Sequence, residues 1–499
     1  MTSRIQFAAA KNGEETCSAG GKFLHSKYNP SAEAEKFAQN LSCDFNPACV
    51  IILEPALSYC APFIRKRFPE AKIMAVRFCD AFSKTDGLWD KVFSAGEGLS
   101  DDIFGALGEE KILSALFFEW TASGSAFPEE KTRAWKAVKE AVEKSRDVMA
   151  TRTYFARRWL KNAITLASTA RRTATIARTK SPVLIAASGT SLESSLPHIK
   201  ERRENFILLA CSSAILPLLS AGITPDIAIS TDGGFWAKRH LAFPGKSAEF
   251  TAALASESAA PGDFIRNREI IPLLYDDSPE FIRNIFESCG IRTMGARRNG
   301  TVSGTALEFA ASITDGPVFM CGLDQASAGG YQHTQPNALE EIASQSDGRL
   351  STKETRTTSA RFASKKPLAT YRGWFAANSG RFDKKAFRLS DGFAFPNRLG
   401  SIRDIGWDEF DSITGRRKAE KIAKTVSETG ADEESRRRIA LSLLKKAADD
   451  DTNGAFTREY FPALSVMLGR ETDEAKKKEI ERKIAEEKSA LVARIAARA

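Results

Sequence analysis

Short apolar runs alternate with longer stretches whose apolar positions recur every three or four residues, and this alternation dominates the middle of the chain. Strands are predicted at 183–187, 206–210, 227–230, 250–254, 269–275 and 318–321, with helix-compatible segments between them. Such alternation predicts an α/β fold, a central Rossmann-like and mostly parallel sheet with helices on both faces. Nearer the N-terminus, runs at 50–53 and 72–76 flank a predicted helix over 55–68, which makes a smaller α/β unit. Residues 1–20 read as a polar lead, and Ser31 as the N-cap of the helix that follows. Residues 130–177 read as helical. Residues 343–368, rich in Ser, Thr, Lys and Arg, read as a mobile loop, and from residue 416 the pattern becomes charged helix. Over 475–497, Ile480, Ile484, Leu491 and Ile495 recur among charges as an amphipathic tail. The expected divisions are an N-terminal α/β domain (1–150), a basic linker helix (151–180), a central domain (181–410) and a C-terminal helical domain (411–499).

Charge adds a bias towards anionic partners. The 499 residues carry a formal charge of +9. Eight Lys or Arg and no acid fall between Thr151 and Lys180. The plain reading of that run is a bridging helix with a basic face; the sharper one is a cationic wall beside a phosphate. Neither a nucleic-acid partner nor membrane insertion is expected. The uncharged stretch 206–223 reaches membrane-spanning length, but Ser212, Ser213, Pro217, Ser220 and Gly222 interrupt it, and it reads as a strand followed by a short helix. Eight cysteines without a C-x-x-C pair and four histidines exclude a disulfide framework and a zinc site, and fit a cytoplasmic protein.

Candidate chemistry gathers just after the strands. Ser188-Gly189-Thr190-Ser191 follows the 183–187 run and opens a helix, a place where backbone N–H groups and hydroxyls can meet a phosphate. Thr301, Ser303, Gly304 and Thr305 form a second hydroxyl-rich turn. Ser212, Asp232 and Asp324 each follow a predicted strand, and Asp226 precedes one. Ligands of such sheets bind at the carboxyl ends of the strands, so one mouth could collect these residues. His333 is the candidate general base, since an unperturbed imidazole titrates near neutral pH. Asp324 is its expected orienting partner or an alternative base, Asp232 a further catalytic acid, and Tyr331 a group to stabilise a leaving phosphate.

These motifs in this order resemble the bacterial motility accessory factors, which are flagellin glycosyltransferases. The resemblance is carried by Leu24-His25-Ser26-Lys27-Tyr28-Asn29-Pro30, Ala187-Ser188-Gly189-Thr190-Ser191-Leu192, Gly222-Ile223-Thr224-Pro225-Asp226 with Asp232, Thr301-Val302-Ser303, and Gly322-Leu323-Asp324 with His333. Ala187, Thr190 and Gln325 depart from the family pattern. The central domain is similar to an archaeal 6-hydroxymethylpterin diphosphokinase and to a sialyltransferase-like fold. The resemblance implies transfer of a nonulosonic (sialic-acid-like) sugar from its CMP form to flagellin Ser or Thr hydroxyls, without a metal or cofactor. The alternatives are a diphosphokinase using ATP and Mg²⁺ held by Asp226, Asp232 and Asp324, and an inactive scaffold that binds a nucleotide or flagellin.

Overall fold

The computed structural model describes residues 5–242, 249–299, 301–325, 331, 333–356, 365–393 and 397–497. Two compact units share the chain, Met1–Ala156 with Asp450–Leu491, and Arg157–Asp449 with Val492–Ala499.

The first unit begins not with a polar lead but with an antiparallel sheet, β1 (Ile5–Ala9), β2 (Glu15–Ala19) and β3 (Lys22–Phe23). Gly20 and Gly21, both at positive φ, make the tight turn between β2 and β3. A second, parallel sheet follows in the order β6-β5-β4-β7, from β4 (Cys49–Leu53), β5 (Lys72–Arg77), β6 (Lys91–Ser94) and β7 (Ala115–Glu119). The Pro30–Asn40 helix is capped by Asn29, whose side chain accepts the Ala32 N–H at 2.9 Å. The cap is therefore Asn29 and not Ser31, because Pro30 suits the first helical position, where no N–H is needed. His25 is buried as a packing residue: it accepts the Leu57 N–H at 3.0 Å and lies against Tyr59 and Trp120.

The second unit holds the large sheet. Its strands are β8 (Arg172–Ile176), β9 (Val183–Ala186), β10 (Ile207–Cys211), β11 (Ile227–Ser230), β12 (Thr251–Ala255), β13 (Glu269–Tyr275), β14 (Met294–Ala296), β15 (Val318–Cys321), β16 (Ala386–Leu389), β17 (Arg403–Ile405) and β18 (Lys424–Glu428). Their order is β17-β16-β15-β9-β10-β11-β12-β13-β8-β18, with β14 also on β13, and only the β18–β8 pair is antiparallel. β9, β10, β11, β12 and β15 are buried throughout, as strands covered on both faces must be. β9 has β10 on one side and β15 on the other, so the strand order reverses there. That reversal opens a crevice at the carboxyl ends.

Several sequence expectations change here. The predicted 130–177 helix ends at Thr169, and the alternating Arg172-Thr173-Ala174-Thr175-Ile176 becomes β8. β18 likewise lies in a segment expected to be charged helix; its exposed face suits an edge strand. Residues 411–499 do not form one helical domain. β18 and the Glu433–Asp449 helix stay with the second unit, whereas Asp450–Leu491 belongs to the first. The 206–223 stretch is β10, a short 3₁₀ turn (Ser212–Ala214) and the Ile215–Ser220 helix. No described helix is long and apolar enough to cross a membrane. Of the expected mobile loop, residues 343–356 contain helical turns clamped by Arg356, which forks onto Glu340 and Asp347; residues 357–364 lie outside the described residues.

Candidate functional site

At the crevice the loops after β9 and β15 pass in backbone contact. Ala187 donates to Cys321 O at 2.9 Å and Gly189 to Gly322 O at 2.7 Å. A Cβ on Gly189 would lie 2.5 Å from Gly322 O and 2.7 Å from Asp324 Oδ1. Gly322 sits at φ +63°, and a Cβ there would meet Ala187 O at 2.2 Å. Both glycines are needed so that these loops can cross.

Asp324 then closes the turn. Its carboxylate accepts the Ser191 N–H at 2.6 Å, the Thr190 hydroxyl at 2.9 Å and the Ser191 hydroxyl. A buried carboxylate thus takes the anion position at the start of the Leu192–Glu201 helix. Of the donors expected to hold a phosphate there, the Gly189 and Ser191 N–H groups and the Thr190 and Ser191 hydroxyls are committed within the protein. Asp324 is held in turn from behind. Asn397 donates its amide to Asp324 O at 2.5 Å, and the fully buried Arg388 binds Asn397 Oδ1 at 2.8 Å and Asp404 Oδ1 at 2.6 Å. Its carboxylate faces the turn, so the expected Asp324–His333 pairing is replaced by another partner for the imidazole.

That partner is Ser188. Its Oγ lies 2.8 Å from His333 Nδ1 and 2.7 Å from Ser213 Oγ. The segment carrying His333 is fixed to the same turn: Thr334 donates its N–H to Ser188 O at 2.8 Å and its hydroxyl to Gly189 O at 2.6 Å. Asn337 reaches Ser213 O at 3.2 Å. Burial holds the His333 imidazole below its ordinary pKa, so it stays neutral at neutral pH. His240, on the Phe235–Ala242 helix, is pushed down to about 4, by burial first and then by the charge His333 would carry. Ser213 and His240 were not singled out in the sequence. A seryl hydroxyl next to Ser212 and a histidine on a short helix carry no signal until the fold brings them to Ser188 and His333.

The remaining candidates separate. Ser212 is buried just after β10. Asp232, exposed after β11, accepts the Gly234 N–H at 2.8 Å. Asp226 precedes β11, at the amino edge of the sheet, where it accepts the Leu208 N–H at 2.7 Å and pairs with Arg203 at 2.9 Å. It does not share the mouth, so Asp226, Asp232 and Asp324 make no common carboxylate set for a cation. Thr301 caps the Val302–Ile313 helix by accepting the Gly304 N–H at 2.9 Å. The Ser303 hydroxyl lies 3.5 Å from that of Thr301, and the Thr305 hydroxyl donates to Arg297 O at 3.3 Å. Tyr331 has the Lys353 ammonium over its ring, 5.6 Å from the centroid. The basic run of 151–180 is divided among ion pairs, Arg172 with Glu269 and Arg178 with Asp315, while Trp159 and Asn162 pack on the loops at Gly233 and Glu257.

Residues 157–330 match the family model described as 6-hydroxymethylpterin diphosphokinase MptE-like. An uncharacterized protein of Treponema pallidum (strain Nichols) is 28% identical over 305 residues, 60% of this chain; the match spans 65% of that protein's length. Among solved structures, the MAf glycosyltransferase from Magnetospirillum magneticum AMB-1 superposes with a TM-score of 0.57 at 13% identity, over 99% of this chain and 91% of that one. The fold is shared.

Proposed function

We propose that this chain, whose residues 157–330 are an MptE-like domain, is a glycosyltransferase that moves a nonulosonic sugar from its CMP form to Ser or Thr hydroxyls of flagellin. The observation that carries the reading is the half-buried, neutral His333 held by Ser188 at the strand-order reversal. The likeness in fold to a glycosyltransferase runs through both units, beyond the MptE-like domain, and favours sugar transfer over pyrophosphoryl transfer. The separation of Asp226 from Asp232 and Asp324 also weighs against the Mg²⁺-dependent diphosphokinase, which needs carboxylates gathered at its phosphates.

In the proposed reaction Ser188 Oγ accepts a hydrogen bond from His333 Nδ1–H, which fixes the tautomer that keeps the lone pair on Nε2. The acceptor hydroxyl loses its proton to Nε2 as its oxygen bonds the anomeric carbon. The bond from that carbon to the phosphate oxygen breaks, and CMP departs with the electron pair. A positioned base of this kind supplies about 10²–10⁴-fold. Asp324 acts at one remove, by fixing the turn that carries Ser188. No metal is required for a donor with one phosphate.

Calorimetry with CMP and with ATP, each with and without Mg²⁺, separates the readings. CMP should bind without metal. Binding of ATP–Mg²⁺ with none for CMP points to the diphosphokinase. Binding of CMP without glycan mass appearing on flagellin co-expressed with a nonulosonate pathway points to the scaffold.

A further inference from the structure

At the Ser188–Ser191 turn the Gly189 and Ser191 N–H groups and the Thr190 and Ser191 hydroxyls are occupied within the protein, which favours another seat for the phosphate of the donor. Two side-chain amides at the same end of the sheet have a buried polar atom without a partner, Asn299 Nδ2 and Gln325 Oε1. An unpaired buried polar atom is costly and rare, and asks for an explanation. Asn299 is 9% exposed and stands two residues before Thr301, the cap of the twelve-residue Val302–Ile313 helix. Its Cβ is 3.1 Å from where a Cβ on Gly304 would sit, and the Trp374 ring is 3.0 Å from the same point. The Asn299 side chain, the first helical turn and an indole thus converge. Thr301 takes the Gly304 N–H; the N–H groups of Val302 and Ser303, in the first turn, have no partner within the helix and lie at its positive end. Gln325, the other amide, is a non-glycine residue at φ +51° directly after Asp324, and its carbonyl is held by Arg372 Nη1 at 2.8 Å. Strained backbone of this sort gathers at ligand sites. Arg372 and Trp374 lie on the Lys365–Asn378 helix, outside the MptE-like match.

We propose that the N-terminus of the Val302–Ile313 helix is the seat of the donor's phosphate, bound by the Val302 and Ser303 N–H groups and by the Asn299 amide, with Trp374 as its wall. The inference rests on the CMP-donor reading for the identity of the ligand, and on the unpaired amide and open helix end for its place. It makes Asn299, which no catalytic step uses, the residue that exchanges stability for binding.

The test is calorimetry of the full chain with CMP and with inorganic phosphate, alongside thermal unfolding. Asn299→Leu removes an unpaired buried amide, so the melting temperature should hold or rise, while affinity for both probes falls by about tenfold or more, the usual size for a hydrogen bond to a charged group. Asn299→Asp, which keeps the side chain's shape but sets a carboxylate against the phosphate, should weaken binding further, and decides the matter should Asn299→Leu fold poorly. CMP affinity unchanged in both variants overturns the seat while leaving the CMP-donor reading intact. A wild-type chain that binds inorganic phosphate but not CMP, with that binding lost in Asn299→Leu, keeps the seat and removes the cytidine donor. Binding of neither probe removes both.

Discussion

Ser188 and His333 define each other. A serine after a strand is chemically neutral information until an imidazole lies 2.8 Å from its hydroxyl. If His333 is the base, His333→Ala should lower the transfer rate by about 10²-fold or more with donor affinity nearly unchanged, measured as initial rates against donor concentration. Ser188→Ala should also slow transfer, since it releases the imidazole. The acid limb of kcat/KM should lie below pH 6.5, because burial lowers the His333 pKa. Stability follows the same sign. Both His333 and His240 bind protons less readily folded than unfolded, so as pH falls below about 6.5 the unfolded chain is protonated first and stability drops. Each histidine contributes at most about 1.4 kcal/mol per pH unit, and for His240 the loss continues down to about pH 4. Urea unfolding at pH 7.5 and 5.5 should show this loss, and His240→Gln should reduce it; an unchanged pH dependence in the variant would remove His240 from the account.

Among the elements, the crossing of the β9 and β15 loops is the contact that creates the mouth. It depends on the absence of a side chain at two places. Gly322→Ala puts a methyl 2.2 Å from Ala187 O at positive φ, and should cost about 3 kcal/mol or more through strain and a forced loop shift. Gly290 provides the control. It has φ +70° but open space around it, so Gly290→Ala should cost only about 1 kcal/mol. Equal losses in denaturant midpoints would mean that the backbone conformation and not the crossing sets the cost. The strands around the mouth were legible from their apolar runs, with β11, β13 and β15 placed residue for residue. β8 was not, because its alternating Thr and Ala continue a helical segment without a strong breaker, and only pairing with β13 and β18 selects the extended form.

In the whole molecule, the C-terminal part of the chain is shared between two units, and Arg436 shows why its first portion stays with the large sheet. It is 1% exposed and donates to Ser168 O at 2.6 Å, Ala170 O at 2.9 Å, the Thr429 hydroxyl at 2.7 Å and Ala431 O. Those acceptors include the last turn of the Pro128–Thr169 helix and the chain just beyond it. Arg436→Ala strips several buried carbonyls of their donor at once and should destabilise the second unit by about 3 kcal/mol. Limited proteolysis of the variant should cut first around residues 416–432, where β18 has lost its support; an unaltered cleavage pattern would contradict this role.

The sequence by itself determined the α/β class, the strands β9 to β13 and β15 around the mouth and the residues that follow them, because periodicity and strand-end position are local properties that survive without knowledge of neighbours. It also brought Ser188, Asp324 and His333 forward as chemistry. Tertiary structure alone decided how they pair. Asp324 turned to the Ser191 N–H and left His333 to Ser188, since strand order sets which loops meet and a buried carboxylate takes the donors within reach. Asp226 went to the amino edge for the same reason: a position just before a strand and one just after it are close in the sequence and lie at opposite ends of a parallel sheet.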